Sequence, residues 1–133
     1  MANIEITNNS TRGIVLYEPV FEDDKVTFAG AAVFKAGTIL ARDSVTLKLV
    51  LFVKGGSTNG NGIAKAVITQ DLESTGAGDV AAKPLVQGQI RVSDLIINAD
   101  GDASNVDAAV LDQLRDYGIV AISTTQLSQL DNQ

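Results

Sequence analysis

The chain has 133 residues, a formal charge of −6, 45% hydrophobic residues and only 5% aromatic ones, which suffices for one ordinary domain whose core must come from Val, Ile, Leu and Ala. It contains neither Cys nor His, which excludes disulfide frameworks, thiolate nucleophiles, Ser-His-Asp triads, zinc fingers and imidazole-ligated metals. No apolar run of about 18 residues and no basic-then-apolar leader is visible, so the expectation is a protein without a membrane span or secretory signal, kept in the cytosol or released by lysis.

Residues 1–12 alternate only in Asn3-Ile4-Glu5-Ile6 before a polar cluster from Thr7 to Arg12, a short strand-capable segment on a flexible tether. Gly13-Ile14-Val15-Leu16-Tyr17 is apolar and β-prone. Pro19 interrupts it, and Glu22-Asp23-Asp24-Lys25 turns into Val26-Thr27-Phe28, giving extended structure with little packing of its own. A hairpin follows: Thr38 to Arg42, a polar corner at Asp43-Ser44, then Val45 to Val53. In the second strand Val45, Leu47, Leu49, Leu51 and Val53 would share one face, and Thr46, Lys48, Val50 and Phe52 the other. Lys54 to Gly62 reads as a loop, Ile63 to Thr69 as a strand and Ser74 to Gly78 as another loop. In the strand Leu85 to Ile90, Gly88 marks a bulge or a close backbone approach. The one helix is late. Ser104 is placed as its cap with Asp107 in the first turn, Val106, Ala109, Val110, Leu114 and Tyr117 form its apolar face, and Gly118 ends it in a left-handed conformation. Ile119 to Ser123 is a final strand and Thr124 to Gln133 a polar tail. No period of 20 to 50 residues recurs, and the class is mainly β with one short packed α-helix.

Charge is unevenly spread. Residues 1–30 hold five acids and two bases, residues 31–93 four and seven, and residues 94–133 seven and one. The bases are scattered singly without aromatic stacking platforms, which argues against nucleic acid as a partner. Local motifs fail in their context. Gly76-Ala-Gly-Asp-Val-Ala81 has the letters of a dinucleotide fingerprint, but Pro84 follows closely and a β-like run begins at Leu85, so it reads as a plain loop. Gly55 and Gly60 have P-loop spacing, but Asn61 stands where lysine must reach the phosphates. Asn98, Asp100 and Asp102 have calcium-loop spacing, yet Ala103 and Ala109 occupy the glycine and glutamate positions. Glu22-Asp23-Asp24 reads as a hydrated turn, not an acid–base pair. No serine sits in a G-x-S-x-G elbow, and the sequence implies no enzyme, cofactor, metal or small-molecule substrate.

The segments Phe34 to Asp43, Lys48 to Phe52, Lys54 to Val67, the Gly88 strand and Asp112 to Ala121, in that order and spacing, resemble the phage head decoration proteins related to the capsid-stabilising protein D of lambdoid phages. The resemblance covers about residues 30–123. One departure is Leu47, where the family commonly places a glycine before the lysine of its first hairpin, which leaves that turn open to lengthening or displacement. The resemblance implies a β-clip-like small domain that trimerises and sits on the outer surface of an expanded phage head, on the major capsid protein, resisting the pressure of packaged DNA. It also implies an amino-terminal arm that orders on the shell. The expected organisation is therefore a flexible capsid-binding arm (1–12), a β-rich decoration domain (13–123) and a polar tail (124–133), forming a homotrimer on the virion. Ile4, Ile6, Ile14, Val15, Leu16 and Tyr17 are the candidate capsid-binding residues, although 14–17 reads equally well as an edge strand of the domain itself. The competing function is a receptor- or carbohydrate-binding β module displayed on the virion, for which six aromatics offer few platforms.

Overall fold

The computed structural model describes residues 15–122, the side chains from Pro19 onward. Ten strands occur among them: β1 (Val15–Phe21), β2 (Asp24–Phe28), β3 (Ala32–Phe34), β4 (Ile39–Arg42), β5 (Leu49–Leu51), β6 (Ala66–Val67), β7 (Leu72–Ser74), β8 (Gly78–Ala82), β9 (Leu85–Arg91) and β10 (Ile119–Ile122). A 3-10 turn covers Val92–Asp94 and the one α-helix, α1, covers Ala108–Asp116. Eight strands form one sheet in the order β1-β9-β6-β4-β5-β2-β8, with β10 beside β9, while β3 and β7 pair as a separate ribbon. The large sheet is mixed: β10 runs parallel to β9 and β2 parallel to β5, the other ladders being antiparallel.

This sheet must curl. Four strands stand between β1 and β2 in its order, so a flat sheet would hold them roughly 24 Å apart, whereas the two-residue link Glu22-Asp23 spans at most about 10 Å. Curling gives the central strands two covered faces. Ile39 and Ala41 of β4 and Val67 of β6 join one core with Phe52, Leu85, Ile90, Leu95, Ile97, Val110, Leu114 and Ile119. Leu40 of β4 and Ala66 of β6 point the other way, into a second core with Val26, Phe28, Phe34, Leu49 and Ile68. The period-two alternation of side chains thus feeds both cores from the same strands. Most of the core is aliphatic, as the composition requires, but Phe28 and Phe34 stack in the second core with ring centroids 4.1 Å apart, and Phe52 is buried in the first.

Several local expectations change. Val26 and Phe28 are fully buried, so the segment before residue 30 packs tightly. Pro19 does not end its strand. β1 continues through it because the ladder to β9 slips there: Tyr17 faces Gln89 and Val20 faces Gln87, three steps along β1 against two along β9. A proline, which has no N–H to donate, is tolerated at such an irregularity on a terminal strand. The expected strand from Val45 to Val53 shrinks to Leu49–Leu51. Residues 44–47 instead form the hairpin turn, closed by the Asp43 amide donating to the Lys48 carbonyl (2.9 Å), and Val45 and Leu47 are exposed. Leu47 itself takes the left-handed conformation, φ 63°, that a glycine would take there. Of Ile63 to Thr69 only Ala66–Val67 is strand. Of the stretch through Ala81 expected as loop, residues 78–81 belong to β8, paired to β2 from Asp24↔Ala82 to Phe28↔Gly78; a strand in this place lacks the helix N-terminus that a dinucleotide site needs.

The helix begins later than its capping pattern suggested. Asp107, not Ser104, is the cap, accepting from the Val110 amide at 3.2 Å, and the Ser104 amide donates to Asp102 (2.9 Å). Val110 and Leu114 are buried, with Val106 and Leu111 packed against the core, but Ala109 and Tyr117 are exposed. Gly118 ends the helix with φ 99° as expected.

Candidate functional site

β9 organises the end of the molecule from which the described chain begins and ends. Ile90 faces Val15 of β1 on one edge and Ala121 of β10 on the other, so the first and last strands flank the same residue. Gly88, buried two residues before it, has φ 141°, and its amide donates to the Gly118 carbonyl at 3.1 Å where β10 begins. The β1–β9 register is irregular around Gly88: it slips between Tyr17↔Gln89 and Val20↔Gln87, with the extra residue on β1, and again between Val20↔Gln87 and Phe21↔Leu85, with the extra residue on β9 at Val86. β1 lies at the end of the sheet order, so its outer edge carries no strand among the described residues. Unpaired backbone N–H and C=O groups along such an edge are a template for a further strand. Of the candidate attachment residues, Val15, Leu16 and Tyr17 belong to the backbone of this terminal strand, while Ile4, Ile6 and Ile14 lie outside the described residues.

Several carboxylates are occupied with structure. Asp24 meets Arg42 at 2.7 Å, Asp79 meets Lys48 at 2.5 Å and accepts from the Thr27 hydroxyl at 2.9 Å, and Asp107 meets Lys54 at 2.7 Å. Asp79 and Asp107 are held below the ordinary carboxylate value first by the hydrogen bonds from Lys48 and Lys54, and Asp43 by the Thr46 and Val45 amides at its turn. Asp102 is lowered by its hydrogen bonds with Ser104. Its side chain thus closes a local turn of the segment that had calcium-loop spacing. No group of three or more potential metal-ligating acids occurs among the described residues. Asp23, from the acidic triplet, faces Lys83 at 3.7 Å on the surface.

A cleft of about 620 Å³ lies where the end of β1 meets β8, with Phe21, Ile68, Leu72, Ala81 and Ala82 among its walls and Asp23 and Lys83 at its side. Thr69 and Gln70 also line it, and every buried side-chain polar atom among the described residues already has a hydrogen-bond partner. Sequence reasoning missed β3, β7 and β8, and the cross-links Asp79–Lys48 and Asp107–Lys54, because charged residues far apart in sequence announce no pairing.

A β-rich scaffold with a terminal strand fed by the amino-terminal segment is suited to attachment. Comparison with family models places it: residues 6–119 match the bacteriophage lambda head decoration protein D family. The chain belongs to that family, a class of structural, non-enzymatic proteins of the phage capsid surface that decorate and stabilise the head. Comparisons with curated proteins and with solved structures return no match.

Proposed function

We propose that this chain decorates the expanded phage head as a homotrimer, attached through its amino-terminal arm, and braces the shell against the pressure of packaged DNA. What supports the attachment is the place of β1 at the end of the sheet order, with residues 1–14 leading directly into it. In this reading the arm and the start of β1 add a strand to the major capsid protein, main-chain hydrogen bonds giving attachment and Ile4, Ile6, Ile14, Val15, Leu16 and Tyr17 giving fit. Ordering an arm costs roughly 1–2 kcal/mol per residue, so one arm binds weakly and three on one trimer bind together.

The test is removal of residues 1–12. The shortened protein should still fold and trimerise by analytical ultracentrifugation, yet fail to cosediment with undecorated expanded heads. Full decoration by the shortened protein would reject the arm; a monomeric full-length protein would reject the trimer.

A further inference from the structure

The loop between β5 and β6 contains two Asn-Gly pairs, Asn59-Gly60 and Asn61-Gly62, the sequence in which a side-chain amide is most open to attack by the next backbone nitrogen, because glycine offers no Cβ to obstruct it. The structure separates the two. Asn61 is half-buried and its side-chain oxygen accepts from the Thr58 amide at 3.2 Å. Its own amide donates to the Thr58 carbonyl (3.0 Å) and its carbonyl accepts from Val53 (2.9 Å). The backbone of Gly56 closes over the following glycine so tightly that a Cβ at Gly62 would come within 2.1 Å of the Gly56 carbonyl oxygen. Asn59 is exposed, with φ 50°. Only its backbone carbonyl is engaged, accepting from the Ser44 amide at 2.9 Å, and its side chain has no hydrogen-bond partner among the described residues.

We infer that Asn59 is a site of spontaneous deamidation in the folded protein and that Asn61, two residues away, is protected from it. The Gly60 amide nitrogen, after losing its proton to hydroxide, attacks Asn59 Cγ. The new C–N bond closes a five-membered imide, the bond from Cγ to the side-chain nitrogen breaks, and that nitrogen leaves as ammonia with a proton from solvent. Water then opens the ring at either carbonyl, leaving aspartate or isoaspartate. Both products add one negative charge to the loop. The isoaspartate also routes the main chain through the former side-chain methylene, which displaces the carbonyl that holds Ser44 and loosens the turn at 43–48. A coat protein built to persist on an assembled particle would carry this change as a record of age.

The purified full-length protein is incubated in mildly alkaline buffer at body temperature, and the tryptic peptide spanning residues 55–65 is sequenced by tandem mass spectrometry over several weeks. Conversion at Asn59 should outrun conversion at Asn61 by about fivefold to tenfold, the factor a single restraining hydrogen bond represents. In urea the two rates should converge. The Asn59→Gly variant, which suits the positive φ, should keep the melting temperature of the parent and lose the faster-forming acidic species on ion exchange. Equal rates in the folded protein, faster reaction at Asn61, or an inert Asn59 in the folded protein beside a reactive one in urea would each overturn the inference.

Discussion

Leu47 is a leucine doing a glycine's work. Its φ of 63° brings Cβ close to its neighbouring carbonyl, a cost of roughly 1–2 kcal/mol for an ordinary residue. The side chain, 67% exposed, gains little packing in return. Leu47→Gly should therefore raise stability by about 1 kcal/mol, a rise in Tm of roughly 4 °C, readable by calorimetry; a lower Tm would mean that the leucine has a packing role which its exposure hides. The carboxylates set a second residue-scale behaviour. Asp43, Asp79, Asp102 and Asp107 all have their folded values lowered from 3.8 by hydrogen bonds to the ionised form. The folded state therefore holds fewer of these protons than the unfolded chain. The stabilisation is complete above the unfolded value, and it is lost as pH falls through 3.8 toward the lower folded values. Tm should be level from neutral pH down to about 5 and fall below about 4, and Asp79→Asn should make that acid fall shallower by removing the group that Lys48 holds ionised.

The helix and its supports give the element-scale tests. α1 is nine residues long, too short to persist by propensity alone, so it depends on Val110 and Leu114 beneath it and Asp107 at its start. Leu114 is fully buried, and Leu114→Ala should cost about 2–5 kcal/mol in urea denaturation. Asp107→Asn should retain most of the cap, since asparagine caps as well as aspartate, whereas Asp107→Ala should lower Tm by a few degrees; identical behaviour of the two would place the effect in the Lys54 pair and not in the cap. The same elements show what the sequence made legible. β4, β9 and β10 were readable as short β-prone runs bounded by glycine, proline or charge, and the body of α1 by its helical period. The start of α1 differs from the expectation because Ser104 and Asp107 are both good caps, and Ser104 is drawn into the turn that Asp102 closes. Val45 to Lys48 alternates like a strand but serves as a turn because Asp43 satisfies the Val45 and Thr46 amides at 2.8 and 2.9 Å, a local bond that competes with the ladder. β8 was invisible because Gly78-Asp-Val-Ala-Ala82 is poor in β-formers and is held by β2, fifty or more residues upstream. The candidate attachment strand was legible as β-prone from Val15 to Tyr17, whereas its place at the end of the sheet follows from pairing with β9, which no local pattern encodes.

At the scale of the whole molecule, the curled sheet uses both faces of its central strands for core, and the proposed attachment falls to its periphery. β1 enters beside Ile90 and β10 leaves beside the same residue, so a pull on the amino-terminal segment is transmitted along the β1–β9 ladder into the core that contains Leu85 and Ile90. Under the proposed attachment such a layout suits a tether on a rigid body, the arm supplying binding and the domain stiffness. Under the proposed trimer, affinity for the head then depends on the number of arms more than on any one contact. Mixed trimers, assembled from full-length and arm-deleted chains carrying different affinity tags and sorted by tag number, make this measurable by cosedimentation with undecorated heads. Trimers with three arms should outbind those with one by on the order of 10²–10⁴-fold, because each arm that engages raises the effective concentration of the next. Binding that merely triples from one arm to three would mean that the arms act independently, and the mechanical coupling of arm to shared rigid body would have to be abandoned.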